Sequence, residues 1–313
     1  MRRAQPWLGT FVEIEVDTDD AQLAGIAIGR AFERIGAIHA AMSYHSPHSD
    51  LSRLNRAAPG VAVRVGADTW TVLRAAGELH AGSDGLFDCA IADLLVHEGL
   101  LPASDGVEPG SGTQADIDLP APGVVRKSRS SRLDLGGIAK GHAVDAAVEV
   151  LQRFGITSGS VNAGGDMRAF GPAPRPVHVR DPREPSRLLL LVDLQDAALA
   201  TSGNYFVTRD AGTVRSALVD PFRRQCVATD ASISVLAPTC LLADALTKVI
   251  ALSGDLQHPL LAAHGAQALW LGSSPHTSSM LSRRPRCETS PQSTSAHIEP
   301  ATEKVLRLAL SSV

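Results

Sequence analysis

The chain has 313 residues and a formal net charge of −4, from 29 Lys and Arg against 33 Asp and Glu, so its surface is not built mainly for nucleic acid. Apolar residues make up 44% and charged residues 20%, which excludes a chain that is disordered throughout and fits one large domain or two ordinary ones. No run approaches the roughly 18 apolar residues of a membrane span, and the four cysteines form no CxxC pair, which argues against structural zinc and a disulfide framework.

The first half of the chain is predicted to alternate helices and strands. Residues 11–16 alternate apolar and polar side chains, as in a half-buried strand, and no apolar signal segment precedes them. Residues 20–42 form the longest predicted helix, which Asp19 or Asp20 would cap. The large apolar residues of this helix fall mostly on one face, namely Ile26, Ile28, Phe32, Ile35 and Ile38. The remaining predictions in this half are a short helix holding Leu51, Leu54 and Asn55, a strand at 61–65, a helix at 67–82 and a turn at 85–88.

The second half is predicted to be richer in strands. Residues 101–123 are rich in Pro, Gly, Ser and Asp, which predicts a loop or insertion. After residue 272 apolar residues become sparse, which predicts a disordered, low-complexity tail over 273–313 behind a folded domain over 1–272. Between these segments the predicted elements are a strand pair at 124–128 and 132–135, a helix at 138–154, strands at 160–162, 176–180, 187–194, 205–208, 213–219 and 231–236, helices at 241–253 and 256–264, and a strand at 268–271.

The most informative segment is 134–145, where a strand ends, two glycines follow and a helix begins. Gly136 and Gly137 leave the backbone bare, so a ligand can approach it closely, and the free N–H groups at a helix start favour an anion such as phosphate. Asp134 could accept hydrogen bonds from a ligand, and Lys140 could bind phosphate or pair with an acid. On spacing alone, a glycine-rich corner with a solvated Lys140 explains the segment equally well.

Three further segments combine small residues with acids. Residues 162–166 and 200–204 are predicted turns after strands, and the first has an acid beside bare backbone. Asp244, inside the helical segment 243–248, could bind magnesium, which takes carboxylate oxygens together with substrate phosphates. Taken alone, an ion pair between Asp244 and Lys248 on the helix surface is the better explanation.

Taken together, these segments resemble the ApbE family, the FAD:protein FMN transferases. The resemblance runs in order along most of the chain, up to about residue 250, and leaves out the tail. Each motif is weak alone, and their common order makes the resemblance specific. The matching segments are 8–10, 42–44 with 49–55, 85–88, 134–145, 161–166, 179–182, 200–205, 220–221 and 243–246.

The resemblance implies both a fold and a reaction. The fold would be α+β and two-lobed, with mixed or antiparallel sheets, flanking helices and an FAD cleft between the lobes. With Mg²⁺, such enzymes cleave the FAD pyrophosphate, release AMP and attach FMN by a phosphoester to a Thr or Ser of a target flavoprotein. FAD is then a substrate, and the expected partners are FAD and an acceptor flavoprotein, with no nucleic acid and no membrane span.

The resemblance also implies roles for individual residues. The expected metal ligands are Gly137, through its carbonyl, Asp244 and Thr247. Asp244 is also an expected catalytic residue. Lys248 is a second one, which does not follow from the resemblance but from its ammonium group, which could replace part of the metal's charge on the pyrophosphate. The expected FAD contacts are Leu8, Tyr44, His45, Leu86, Phe87, Asp88, Asp134, Lys140 and Leu218.

The sequence departs from the family pattern at three points. The family's second metal ligand is a Thr four residues after the aspartate, where this chain has Lys248, and Thr247 comes one residue early. Many members carry a histidine three residues before Asp220, where this chain has Ala217. Many members are exported lipoproteins, whereas this sequence shows neither a signal peptide nor a lipobox, so we expect a cytoplasmic location.

Two alternatives follow from the departures at Lys248 and Ala217. The chain could be an FAD-binding protein that has lost transfer activity. It could also be an FAD pyrophosphatase that uses water as the acceptor. Neither His142 nor His178 is placed at the phosphate by its spacing, so the general base is left open.

Overall fold

The computed structural model describes residues 1–103, 109–180, 188–203, 209–210, 213–214, 216–227, 231–272 and 304–305. The helices are α1 (Ala21–Met42), α2 (Asp50–Arg56), α3 (Ala67–Gly82), α4 (Ala92–His97), α5 (Ala139–Arg153), α6 (Cys240–Ser253) and α7 (Pro259–Ala263), with a 3₁₀ turn at Gln114–Asp116. The strands are β1 (Arg2–Trp7), β2 (Thr10–Val16), β3 (Ala62–Arg64), β4 (Ile117–Ala121), β5 (Val124–Lys127), β6 (Gly159–Ala163), β7 (Asp166–Phe170), β8 (Arg175–Arg180), β9 (Leu188–Leu194), β10 (Ala198–Gly203), β11 (Arg209–Asp210), β12 (Thr213–Val214), β13 (Val219–Asp220), β14 (Gln225–Cys226), β15 (Ser232–Ala237), β16 (Gln267–Leu271) and β17 (Lys304–Val305).

A seven-stranded antiparallel sheet organises the molecule, in the order β1-β2-β6-β7-β10-β15-β16. Its first two hairpins close with two-residue turns, Leu8-Gly9 and Gly164-Gly165, and all four residues have positive φ. Such turns match the right-handed twist of paired strands. The pairing of β2 with β6 brings the two turns together, since a Cβ at Gly164 would lie 2.6 Å from the Thr10 hydroxyl.

Helices α1, α5 and α6 form a layer against this sheet. The main core lies between them, and its side chains are aliphatic, as the low aromatic content requires. It joins Ile14 and Val161 of the sheet to Ile28 of α1, Val144 of α5 and Leu246 of α6, all fully buried. Smaller sheets lie around this core: β3-β5-β4, the pair β8-β9 with β17 beside β9, and two short hairpins, β11-β12 and β13-β14.

The predicted α+β class is confirmed, and the longer helices match the predictions closely, whereas α4 was not predicted and α7 begins three residues later than predicted. Helix α1 begins after Asp20, whose carboxylate accepts the N–H of Leu23 at 2.9 Å. Helix α3 covers the predicted residues, α5 and α6 differ from their predictions by one residue at one or both ends, and α2 contains the three residues predicted for the short helix. Ile26 is an exception within α1, because it is exposed rather than on the buried face.

Several strand predictions were wrong. Residues 200–203 belong to β10, in the interior of the large sheet, rather than to a turn. Residues 117–121 of the predicted loop form β4, and β1 and β7 were missed. Residues 132–135 form no strand, because side-chain and loop groups take up their backbone hydrogen bonds. The Asn55 amide bonds both the N–H and the C=O of Leu133, at 2.8 and 2.9 Å, and Asp134 N–H donates to the Cys89 carbonyl at 2.8 Å.

Some predictions fall outside the described residues. These are the strand at 205–208, the motif residues 181–182 and 204–205, and part of the loop at 104–108. Of the predicted tail, the structure describes only the two residues of β17, which pair parallel to β9. The boundary between a domain at 1–272 and a tail therefore stays a prediction.

An ion-pair cluster ties α1, α3 and α5 together and predicts a pH dependence of stability. Asp68 of α3 accepts hydrogen bonds from His142 Nε2 of α5 at 2.9 Å and from Arg34 Nη1 of α1 at 2.7 Å. The hydrogen bond from His142, followed by the Arg34 guanidinium, holds the pKa of Asp68 well below its usual range, against the effect of burial.

Because the folded-state pKa is lowered, Asp68 should stabilise the fold fully at pH values above its unfolded pKa of about 3.9, and this effect should decrease progressively as the pH falls from there toward the folded-state pKa. We expect Asp68→Asn to lower the melting temperature at pH 7, and we expect a smaller deficit at pH 3, where part of the stabilisation is already lost. Thermal unfolding at both values measures this. Asp118→Asn is the control, because Asp118 forms an exposed pair with Arg126 and should matter little. An Asp68→Asn deficit that is equal at both pH values would contradict the assignment.

Candidate active site: a buried lysine–aspartate cluster

Four charged side chains meet where α5, α6 and the β6–β7 turn come together. We refer to Lys140, Asp166, Asp244 and Lys248 as the lysine–aspartate cluster. Lys140 lies in the first turn of α5, Asp166 begins β7 directly after Gly164-Gly165, and the other two lie one turn apart on α6. The structure therefore joins three of the glycine-rich or acidic segments that the sequence singled out.

Asp244 is the centre of the cluster. Its Oδ2 accepts the Gly141 N–H at 3.2 Å and lies 4.0 Å from Lys140 Nζ. Its Oδ1 accepts a hydrogen bond from Lys248 Nζ, which also donates to the Asp244 carbonyl at 2.9 Å. Lys140 Nζ in turn donates to Asp166 Oδ2. Each carboxylate is thus paired, as burial of a charge requires.

The electrostatics of the cluster keep its central carboxylate ionised. Burial alone would raise the pKa of Asp244, but the Lys140 and Lys248 ammonium groups outweigh it and hold that pKa below its usual value. Burial would likewise lower the pKa of Lys140, but Asp244 and Asp166 outweigh it and raise that pKa. Asp244 and Lys140 are therefore both charged at neutral pH.

The position of α6 is fixed from its amino-terminal end. The Asp145 carboxylate of α5 accepts the N–H groups of Cys240 and Leu241, both at 2.9 Å, and pairs with Arg168 at the same distance. An acid at a helix start satisfies free N–H groups and interacts favourably with the helix dipole. Asp145 thereby sets where Asp244 comes to lie, one turn further along α6.

The predicted metal ligands are close together but do not offer a divalent cation a site. Both oxygens of Asp244 are engaged by nitrogen donors. The Thr247 hydroxyl is buried, donates to the Asp244 carbonyl at 2.7 Å and is bonded to Ser202 Oγ at 2.7 Å. Lys248 passes over Gly137, with its Cε 3.5 Å from where a Cβ would be. Within the part of the chain that the structure describes, no group of three His, Cys, Asp or Glu residues could hold a metal ion.

A second acidic group lies around Cys89. Asp134 N–H donates to the Cys89 carbonyl at 2.8 Å, and the neighbouring Asp88 accepts the N–H groups of Ala90 and Gln114. Burial raises the pKa of both Asp88 and Asp134. Burial and the negative charges of Asp88, Asp134 and Asp244 raise the pKa of the Cys89 thiol.

Asn55 holds Asp134 in place and can be tested. Because it bonds both backbone groups of Leu133, the residue before Asp134, Asn55→Ala leaves two buried polar groups unsatisfied, at a cost of about 1–3 kcal/mol each. We expect a clear drop in melting temperature and weaker binding of any ligand that contacts Asp134, measured for FAD by fluorescence titration. Gln195→Ala is the control, because Gln195 makes one exposed hydrogen bond. Unchanged stability in Asn55→Ala would contradict this role.

A cavity of about 320 Å³ adjoins Asp88. Its outer wall is the exposed ring of Phe222, which lies over Gly85, where a Cβ would be 3.3 Å from the ring. Asp220 positions this ring, because its carboxylate accepts the N–H groups of Phe222 and Arg223, both at 2.9 Å. The cavity is lined by His80, Ala81, Asp84, Gly85, Asp88, Thr113, Pro221 and Phe222, and its size lies at the lower end of ligand pockets.

The other predicted FAD contacts are dispersed. Leu86 is half-buried beside the cavity wall, whereas Phe87 is buried in the main core and could reach a ligand only through its backbone. His45 is exposed, and in its protonated form it lowers the pKa of Asp134 against the larger effect of burial. Tyr44 packs edge-on against His45, with ring centroids 6.2 Å apart. Leu8 lies in the β1–β2 turn and Leu218 is half-buried just before β13, and for all of them FAD contact stays a prediction.

Three residues of the site were not among the predicted site residues. Asp166 pairs with Lys140, Ser202 bonds Thr247, and Asp145 caps α6. All three lie inside motifs that carried the family resemblance. Their roles could not be predicted because their hydrogen-bond partners are distant in sequence, 26 residues away for Asp166 and about 95 for Asp145.

Comparison with known proteins fits this geometry. The sequence profile of the ApbE family matches residues 8–270. The chain belongs to the ApbE family. An FAD:protein FMN transferase of Rhodobacter capsulatus is 30% identical over 274 residues, which cover 82% of this chain and 52% of that protein. One of Chlamydia pneumoniae is 27% identical over 240 residues, covering 71% of this chain and 74% of that protein.

A solved structure supports the fold of this ApbE family member. The ApbE protein of Thermotoga maritima superposes with a TM-score of 0.71 at 26% identity, over 80% of this chain and 85% of that one. The predicted family and fold are therefore confirmed. The chain spans about half the length of the Rhodobacter relative, at 52%. In the described residues, no helix is both long and apolar enough to cross a membrane.

Proposed function

We propose that this ApbE family member is an FAD:protein FMN transferase. The observation that carries the proposal is the family match over residues 8–270, since relatives that match most of the chain bear this name. The lysine–aspartate cluster supports it, because it holds two partly exposed ammonium groups and the Lys248 side chain lies over the bare backbone of Gly137, where a pyrophosphate could approach.

Within this proposal the described residues divide into three roles. Lys140 and Lys248 bind and neutralise the pyrophosphate oxygens, while Asp166 and Asp244 hold the two lysines in place. Asp88, which lines the cavity under Phe222, and Asp134 hydrogen-bond the flavin or adenine edges. Phosphoryl transfer depends mainly on such positioning and charge stabilisation.

The proposed reaction is a displacement at the FMN phosphorus. The hydroxyl oxygen of a Ser or Thr on the acceptor flavoprotein forms a bond to that phosphorus. The bond from the phosphorus to the bridging oxygen breaks, and AMP leaves with that oxygen. The hydroxyl proton passes to water or to the departing phosphate, because Ala217 stands where many family members have a histidine.

The magnesium requirement and the cellular location are more specific than the transferase activity itself. The family resemblance implies Mg²⁺, with Gly137, Asp244 and Thr247 as its ligands. The residues as they lie do not fit that ion, because nitrogen donors occupy the Asp244 oxygens and Thr247 is bonded inward, and no step of the proposed reaction depends on it. A cytoplasmic location stays a prediction.

The test uses a carrier protein with a Ser/Thr-Gly-Ala-Ser/Thr tag as acceptor. The purified chain is incubated with FAD and this acceptor, AMP is quantified by chromatography, and in-gel flavin fluorescence detects covalent FMN. We expect AMP and labelled acceptor in equal amounts, and no label when the acceptor hydroxyls are replaced by Ala. AMP with free FMN and no label would favour a pyrophosphatase.

A second candidate is an FAD-binding protein without transfer activity. The exposed Ala217 in place of a histidine favours it, since a positioned general base contributes about 10²- to 10⁴-fold. Tight FAD binding without AMP in the presence of acceptor would support this candidate. In that case Ala217→His is the first variant in which to look for restored transfer.

A further inference from the structure

We propose that Lys248, together with Lys140, takes the place of a divalent cation in this site, so that the chain binds the FAD pyrophosphate without a metal ion. The inference rests on the proposed function for the identity of the ligand. It deepens that function, because it assigns to the two lysines the binding of the pyrophosphate that a divalent cation would otherwise support.

The first argument is the position of Lys248. Its ammonium group donates to both the side-chain and the main-chain oxygen of Asp244, and its aliphatic part lies over Gly137. These are two of the three residues expected to ligate the metal. An ammonium group at this position supplies positive charge. It cannot itself ligate a metal ion, because it has hydrogen-bond donors but no acceptor.

The second argument is which atoms face outward. The side chains of Asp244 and Asp166 are 0% and 4% exposed, whereas those of Lys248 and Lys140 are 24% and 32% exposed. An approaching ligand therefore meets N–H donors and positive charge before it meets a carboxylate. That surface attracts a pyrophosphate and repels a divalent cation.

The third argument is the orientation of Thr247. Its hydroxyl donates to the Asp244 carbonyl and is also bonded to Ser202 of β10. It is fully buried, so recruiting it as a metal ligand would break two buried hydrogen bonds. Compared with the family pattern, this chain has Thr one residue early, at 247, and Lys at 248. Both differences remove a metal ligand from the site.

The experiment compares FAD binding in excess EDTA and in excess magnesium, by fluorescence titration. We expect the wild-type Kd to be nearly equal in both. In Lys248→Met the Kd should rise about tenfold to a hundredfold, the loss of one charged hydrogen bond. Lys248→Arg, which keeps the charge, and Thr247→Val should both bind FAD independently of metal.

A fourth variant tests directly whether Lys248 takes the place of the metal ion. Lys248→Thr restores the residue of the family pattern, and we expect its FAD binding to be weak in EDTA and to recover on addition of magnesium. Binding of Mn²⁺, followed by electron paramagnetic resonance, should be stronger in Lys248→Thr than in wild type.

The outcomes separate the two proposals. Wild-type FAD binding that is lost in EDTA, with Lys248→Met equal to wild type, would overturn this inference and leave the transferase proposal intact. Absence of FAD binding under every condition would overturn the transferase proposal itself.

Discussion

Replacement of Asp244 by alanine should lower the free energy of unfolding by about 3–5 kcal/mol, because removal of one partner leaves buried charge uncompensated. Asp244 is fully buried and is approached by Lys140, Lys248 and the Gly141 N–H. Without it, the two ammonium groups have only Asp166 between them. Thermal and urea unfolding of the ligand-free variant measure the loss.

The same variant should respond more strongly to FAD than the wild type does. A pyrophosphate would supply the negative charge that the variant lacks, so the rise in melting temperature on saturation with FAD should be larger. AMP release should nevertheless fall by about 10²- to 10³-fold, since the lysines are no longer held in position.

Asp244→Asn is the matched control for charge. The amide keeps the shape and an acceptor for Lys248 but removes the negative charge, so its loss of stability should be intermediate. If Asp244→Ala were as stable as wild type and released AMP at the wild-type rate, neither the cluster nor its role in the reaction would stand.

Local pattern predicts the helices of this fold well and its central strands poorly. Helix α1 has a capping acid and a long apolar periodicity, and both are properties of neighbouring residues. Strand β10 reads Ala-Leu-Ala-Thr-Ser-Gly, small and polar residues typical of turns, and is a strand because β7 and β15 pair with it. Its identity depends on partners distant in sequence.

The site was predictable as a set of motifs but not as a set of contacts. Asp244 and Lys140 were found because the glycine-rich and helical motifs carried the family resemblance. That Lys140 would pair with Asp166, and that Lys248 would lie over Gly137, follows from the packing of α5 and α6 against the sheet. Spacing along the chain contains no information on those approaches.

The close packing of α5 against α6 is the basis of the second prediction with a large effect, which concerns Gly141. A Cβ there would lie 2.2 Å from the carbonyl oxygen of Cys240, 2.5 Å from its carbon and 2.7 Å from the Cα of Leu241. All three are backbone atoms at the start of α6, where Asp145 fixes the helix, so no side chain can rotate away. We expect Gly141→Ala to destabilise the fold by at least about 3 kcal/mol, at the upper end of overpacking costs.

Gly77→Ala distinguishes this clash from a general effect of replacing a helical glycine. Gly77 lies in α3, and no neighbouring atom comes within 4 Å of the position that a Cβ would take, so alanine there should stabilise the protein by about 0.5–1 kcal/mol. Any folded fraction of Gly141→Ala should also release AMP more slowly than wild type, because α6 carries Asp244 and Lys248 and must move away from Lys140. A Gly141→Ala protein with the melting temperature of Gly77→Ala would refute the close approach, and with it the packing that assembles the lysine–aspartate cluster.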